Sequence, residues 1–273
     1  YKALYSGHNE HNYFEIAHTV RYLLDKGNLP YHLYNFVDNH DVERIYTRLL
    51  NKQEFVPVHI LMYTLPGIPS IYYGSEFGIE GRKEKHSDAV LRPAINLEDY
   101  SNAVSENGCT NIIARLGKIR EKNTVFSDGI YQELRLTNRQ YAFSRTNEIT
   151  QAIVVVNNDE ADSSLEIPAN GTYTELLSGE IQTVDGNLHV HLRACSGQIW
   201  MKDYDETVTR KREVKIPEIK QVAVKEETIK QVTVDHSKSY EEMSVEELQA
   251  CVLEKLAKNG PVTEQMKRDV ANN

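Results

Sequence analysis

The sequence has 273 residues, of which 40% are hydrophobic and 26% charged, the balance of an ordinary globular protein. With 40 acidic against 31 basic side chains the formal charge is −9, which argues against a fold-wide basic footprint for nucleic acid, and no apolar run approaches the ~18 residues of a membrane span. Cys109, Cys195 and Cys251 lie far apart with no Cys-x-x-Cys, which argues against a disulfide framework or a structural zinc site and suits a reducing compartment. The chain opens Tyr1-Lys2-Ala3-Leu4-Tyr5, with neither an initiator Met nor a leader-like stretch. It is expected to be a piece of a longer protein, and its localisation is left open.

Residues 11–26 carry Tyr13, Ile16, Ala17, Val20, Leu23 and Leu24 at helical spacing, with Gly27 placed to stop the helix. Tyr31 to Val37 reads as a short buried strand, ending in the polar cluster Asp38-Asn39-His40-Asp41. A second helix is expected over 54–65, closed by Pro66-Gly67, followed by a strand-like run from Ile68 to Tyr73. Residues 78–106 read as a long charged loop, of the kind that is usually functional or disordered. A third helix is expected over 111–120. Alternation of this kind implies parallel strands joined by crossover helices. Two strands do not make a stable parallel sheet, so the unit is expected to continue beyond them.

The texture changes near Asn123. Seven short runs of β-formers are expected as strands, at 129–131, 140–144, 152–156, 164–167, 173–177, 188–192 and 198–201. Turn-formers separate them, among them Ala169-Asn170-Gly171 and Asp185-Gly186-Asn187. The spacing predicts an antiparallel sandwich of ~80 residues. Residues 205–239 are charged and hold a near-repeat, Ile219 to Val224 and Ile229 to Val234, read as an extended linker or a lone hairpin. Ser244 with Glu247 forms a capping box, and Val245, Leu248, Val252 and Leu256 make an apolar stripe ending at Gly260-Pro261. The triplet Arg210-Lys211-Arg212 is interrupted by Glu213 and reads as solvated linker rather than a nucleic-acid contact.

The chemistry concentrates in two clusters. The strand 31–37 delivers Asn39, His40 and Asp41 to its C-terminal end, the edge at which parallel α/β folds gather their sites. A carboxylate beside an imidazole, with Arg44 one helical turn on, suits charge stabilisation or hydroxyl binding. The same residues equally suit helix capping, with Asp38 or Asn39 as cap and Asp41 in the first turn. The second cluster runs from Leu65 to Glu76 and places Tyr72 and Tyr73 at a strand exit. They suit either a sugar-stacking floor or core aromatics with their hydroxyls at the rim. No histidine spacing matches a metal motif, so no metal is assigned.

Together, in this order, the stretches Phe36-Val37-Asp38-Asn39-His40-Asp41 and Pro66-Gly67-Ile68-Pro69-Ser70-Ile71-Tyr72-Tyr73-Gly74-Ser75-Glu76-Phe77-Gly78 closely resemble the alpha-amylase superfamily of glycoside hydrolases. The resemblance spans residues 1–202. It implies an α/β plus all-β architecture: the C-terminal part of a (β/α)8 TIM barrel over 1–122, then an antiparallel β-sandwich domain over 123–202. The remaining chain is read as a linker over 203–239 and a helical tail over 240–273. The resemblance implies that Asp41 is the catalytic carboxylate that stabilises the transition state, that His40 binds the same sugar, and that Asn39 supports them. It also implies that Asp88 and Arg92 bind the next sugars and that Tyr73 lies at the substrate. The partner implied is an α-glucan such as a maltooligosaccharide or starch, cleaved at α-1,4 bonds with retention, with neither nucleic acid nor membrane as partner and the oligomeric state left open. No cofactor is evident, and calcium is implied only for complete members. The nucleophile and acid/base have no counterpart here, since Glu76 and Glu80 lack their sequence context. The isolated chain is therefore expected to be inactive, and the alternative is a non-catalytic carbohydrate-binding or scaffold remnant.

Overall fold

A computed structural model describes residues 2–25, 33–204, 244, 247, 248 and 250–252. The chain divides into two compact units, Tyr1–Arg212 and Glu213–Asn273.

The first unit begins with two helices, α1 (Lys2–Asn9) and α2 (Phe14–Asp25). The first was not expected from sequence, because two turns interrupted by Gly7 carry too little periodicity to read. Strand β1 (Tyr34–Phe36) comes next, then the single turn α3 (Ile45–Arg48), α4 (Phe55–Thr64) and β2 (Ile68–Ser70). β1 and β2 pair in parallel, with Tyr34 opposite Ile68 and Phe36 opposite Ser70. Both therefore send their C-terminal ends to the same edge. The long loop over 78–106 is not structureless: it is punctuated by short turns at Ala89–Leu91 and Leu97–Tyr100 and by α5 (Ala103–Glu106). Helix α6 (Gly108–Lys122) is capped by Asn107, whose side chain accepts from the N–H groups of Cys109 and Thr110. The single turn α7 (Val125–Asp128) leads into the sheet.

Six antiparallel strands complete the unit: β3 (Ile130–Leu136), β4 (Gln140–Thr146), β5 (Gln151–Asn157), β6 (Ser163–Glu175), β7 (Ile181–Leu192) and β8 (Ser196–Lys202). Their order is β3-β4-β5-β8-β6-β7. The expected runs 164–167 and 173–177 merge into the one long strand β6, and the run 188–192 extends back to Ile181. The turn-formers between the runs make a corner within the hairpin instead of ending its strands. Asn170 pairs with Asp185 and Ala169 with Gly186, the Gly186 N–H donates to Asn170 Oδ1, and Gly171 and Gly186 sit at φ 114° and 113°. Beyond this corner only Tyr173 to Glu175 pair with β8. The other arm curls back, so Ile167, Leu188, Val190 and Leu192 share a core with Ala142, Ile153, Val155 and Trp200. One continuous curled sheet thus supplies both layers of the antiparallel domain.

The opposite face of the same strands builds the larger core. Tyr141, Phe143, Ala152, Val154, Val156, Ile199 and Met201 pack with Ile60, Leu61, Met62, Ile112 and Leu116. β5 is therefore apolar at every position from Ala152 to Val156, as a strand covered on both faces requires. Helix α4 is likewise buried nearly all round. Two arginines brace the C-terminal end of α4 and the turn after it through backbone carbonyls. The buried Arg145 donates from Nε to Gly129 O at 3.0 Å and from Nη1 to Thr64 O at 2.7 Å, and Arg120 donates to Gly67 O at 2.5 Å.

In the second unit, Ser244 N donates to Glu247 Oε2 at 2.8 Å and Glu247 N donates to Ser244 Oγ at 3.3 Å, which is the expected capping box. The near-repeat over 219–234 and the linker over 205–239 lie outside the described residues.

Two measurements check these contacts. Arg145→Ala strands two carbonyls and opens a cavity, so it is expected to lower unfolding free energy by about 3 kcal/mol in urea titration. His8 and His59 are buried, and burial holds both at a pKa of about 4 against an ordinary 6.5. The unfolded chain takes up those protons first, so stability from both is lost as pH falls from 6.5 toward 4. The urea midpoint is expected to drop between about pH 7 and 4.5, and to drop less in His59→Gln.

Candidate active site

The parallel pairing brings the two sequence clusters to one edge. Asn39, His40 and Asp41 lie just past the end of β1, and Tyr72 and Tyr73 just past the end of β2. Beneath them lies a buried polar network. Asp38 is 1% exposed; its Oδ2 accepts from Ile45 N at 2.7 Å, and both its oxygens accept from Ser75 Oγ at 2.8 and 2.7 Å. Arg44 Nη1 donates to Tyr73 O at 2.6 Å and to Ser75 Oγ at 3.2 Å. Its guanidinium carbon lies 4.4 Å from the centre of the Tyr72 ring and 5.3 Å from that of Tyr73. Burial raises the Asp38 carboxyl, while the Ile45 N–H, the Ser75 hydroxyl and Arg44 pull it back.

This corrects the expectation for Arg44. It is fully buried and braces the tyrosines from behind, so it is not placed to bind hydroxyls. The capping alternative is divided between residues. Asp38 serves the first N–H of α3. Asn39 Oδ1 accepts from Asp41 N at 2.9 Å in a local turn, and Asp41 precedes α3 rather than sitting in its first turn.

Above the network stands an exposed charged group. Asp41 Oδ1 lies 3.2 Å from Arg92 Nη2 and Asp41 Oδ2 lies 3.2 Å from His40 Nε2. The same Arg92 Nη2 reaches Asp88 Oδ2 at 3.3 Å, and Arg92 Nε donates to His40 O at 3.2 Å. Arg92 thus joins the loop after β2 to the end of β1. The side chains of His40 and Asp41 are 55% and 57% exposed, open enough for a ligand to reach. The His40 and Tyr72 rings are 6.4 Å apart, and Tyr72 meets Tyr73 edge-on at 4.7 Å. Burial raises the Tyr72 phenol, Tyr73 adds to this, and Arg44 and Arg92 oppose it. The Tyr73 hydroxyl donates to Pro93 O at 3.0 Å. It is therefore anchored to the loop, with its ring half-exposed.

Lys83 was not singled out from sequence. Its Nζ donates to Asp41 O at 2.8 Å and lies 3.5 Å from Asp88 Oδ1. Within Arg82-Lys83-Glu84-Lys85 nothing local marks it, because its role comes from how the loop returns to the strand end. Among the described residues, no three His, Cys, Asp or Glu side chains converge as a metal-binding group.

Comparison with known proteins bears on this arrangement. A family model described as the alpha amylase catalytic domain matches residues 9–129, and one for the alpha amylase C-terminal all-beta domain matches residues 135–225. A cyclomaltodextrin glucanotransferase of Niallia circulans is 26% identical over 184 residues, covering 63% of this chain and 24% of that protein. An alpha-amylase of Niallia circulans is 26% identical over 152 residues, covering 54% of this chain and 27% of that protein. The chain spans about a quarter of the length of these curated relatives. Among solved structures, an alpha-amylase from Malbranchea cinnamomea superposes with a TM-score of 0.62 at 18% identity, over 74% of this chain and 44% of that one. An alpha-amylase from H. orenii gives 0.60 at 22% identity, over 74% and 47%. At these identities the superpositions establish the fold. With both strand-end clusters on one edge and the catalytic and all-beta family models matched in succession, the chain belongs to the alpha-amylase superfamily of glycoside hydrolases.

Proposed function

We propose that this chain supplies the sugar-gripping rim of an alpha-amylase-type enzyme that cleaves α-1,4-glucosidic bonds in maltooligosaccharides or starch with retention of configuration. The observation that carries this reading is the group centred on Arg92, in which Asp41, His40 and Asp88 are held together at the strand ends beside Tyr72.

Glycosidic cleavage passes through a flattened, cationic sugar ring. A carboxylate already fixed beside that ring gains attraction as charge develops, without the reorganisation that water would require. Asp41 is fixed in this way, with one oxygen facing Arg92 and the other His40. In this reading Asp41 grips the hydroxyls of the sugar at the bond being cut, His40 adds a hydrogen bond to the same sugar, and the Asn39 turn sets their spacing. Asp88 and Arg92 hold the next sugars toward the non-reducing end, and the rings of Tyr72 and Tyr73 offer apolar faces to a pyranose. Two further carboxyl groups about 5 Å apart complete a retaining mechanism. This reading assigns them to barrel strands other than β1 and β2, and leaves any calcium to the complete enzyme. The names of the relatives include both an amylase and a glucanotransferase, so the acceptor is water or a second sugar.

A second reading is a non-catalytic carbohydrate-binding or scaffold protein of the same family. It rests on the same rim, in which cations hold both carboxylates, Asp41 on Arg92 and Asp88 on Arg92 and Lys83, an arrangement that can grip a sugar without cleaving it.

The 273-residue chain alone is expected to release no reducing ends from maltoheptaose, and measurable release refutes the assignment of the nucleophile elsewhere. In a protein that joins these residues to a closed barrel, Asp41→Asn is expected to lower kcat by about 10²- to 10³-fold while leaving thermal stability within about 0.5 kcal/mol of the parent. An unchanged kcat removes Asp41 from the site. Binding of maltooligosaccharide without turnover in that joined protein carries the second reading instead.

A further inference from the structure

We propose that Glu54 is a proton-operated switch on the seam between the helical part of the first unit and its β-sheet: neutral, the carboxyl leaves the seam closed, and ionised, it loosens it.

Glu54 closes the turn Lys52–Glu54 that leads into α4. The residue is 1% exposed, and neither carboxylate oxygen has a hydrogen-bond partner among the described residues. A buried carboxylate without a donor is among the costliest groups a fold can hold, whereas the neutral acid loses much less on leaving water.

Among the described residues, no surrounding group donates a hydrogen bond to that carboxylate. From the helical side His11 places Nδ1 3.8 Å from Glu54 Oε1, an ion-pair distance but beyond hydrogen-bond reach, while the same nitrogen hydrogen-bonds Asn158 O at 2.5 Å. Tyr13 comes from the same side, and the charge of Glu54 raises its phenol further. From the sheet side come the Cys195 thiol, also raised by Glu54, and the carboxylate of Glu160, which repels it. Asp159 acts on the same thiol and faces Arg139 at 4.0 Å. Burial first and Glu160 second push the Glu54 carboxyl up to about 7, against an ordinary 4.5.

The seam around Glu54 consists of few polar links. Tyr13 N donates to Asn138 O at 3.0 Å, Asn158 Nδ2 donates to Gly7 O at 3.1 Å, and Asn51 Nδ2 reaches Cys195 Sγ at 3.4 Å. Water drawn in to solvate an ionised Glu54 enters among these links. The sign comes from the two proton affinities. The unfolded chain ionises Glu54 near 4.5 and the folded chain near 7, so the stability held below 4.5 is lost as pH rises through 7. His8 and His59 impose the opposite slope, but they are present equally in any Glu54 variant, so the difference between proteins isolates Glu54.

The test is the melting temperature of the full 273-residue chain and of Glu54→Gln between about pH 5 and 9. Glutamine keeps the shape and never ionises. The variant is expected to gain on the wild type mainly between about pH 5 and 7 and then level off, ending about 4 °C or more ahead at about pH 8.5 relative to their difference at about pH 5. Glu54→Met, which neither ionises nor hydrogen-bonds, is expected to show the same flattening even if its overall stability is lower. Amide exchange, corrected for its intrinsic pH dependence, adds a local readout. Protection at Tyr13 and Asn158 is expected to fall between about pH 5 and 7 in the wild type but not in Glu54→Gln, with the seam opening at a lower free energy than β4. A pH-independent difference between the proteins, or the same fall at the seam in both, overturns the proposal.

Discussion

The rim depends on one buried contact set, in which Asp38, Ser75 and Arg44 join the ends of two parallel strands. β1 and β2 are only three residues long each and have little ladder with which to fix the residues beyond their ends. The network does that instead. Asp38 comes from the end of β1, Ser75 from the end of β2, and Arg44 reaches from the start of α3 to the Tyr73 carbonyl. Removing the solvent from these groups makes their hydrogen bonds strong and their loss costly. A buried arginine against two tyrosine faces fixes the direction of those rings as well as their position.

The exposed tier is built on the buried one. Arg92 arrives from a loop with little regular structure, and it is ordered by contacts to the His40 carbonyl and to the carboxylates of Asp41 and Asp88. Exposed ion pairs are individually weak. The members of this group are presented from positions already fixed below, so little conformational freedom remains in it. The β-sheet contributes from further back. It covers α4 on one side, and Arg145 reaches from it to the last turn of that helix just before β2 begins.

The two halves of the first unit share a core, yet their seam is not uniformly apolar. Around α4 it is a packed layer of aliphatic and aromatic side chains. Around Glu54 it holds an acid, a thiol and amides, with unsatisfied oxygens among them. The contrast separates a part of the junction that gives stability through burial from a part whose stability depends on protonation.

Much of this was legible in the residues themselves. The apolar run Ala152 to Val156 announces a strand, and Ser244 with Glu247 announces a helix start, because both signals are local and carried by nearby side chains. The two strand-end clusters set Asp41, His40 and Tyr73 at strand ends, and the family resemblance they carry added Arg92 to the same region. Tertiary structure decided the features that distance along the chain conceals. Arg44 lies three positions from Asp41 yet is buried beneath the tyrosines, because the chain turns at Asn39 before α3 begins. Lys83 joins the rim only because its loop doubles back. Asn170-Gly171 and Asp185-Gly186 look like two turns in the sequence, and pairing across the hairpin makes them one corner. Local order along the chain was enough to set which residue types stand at the strand ends. Burial and long-range hydrogen bonding, which depend on neighbours dozens of residues away, decided which of them face solvent and which hold the others in place.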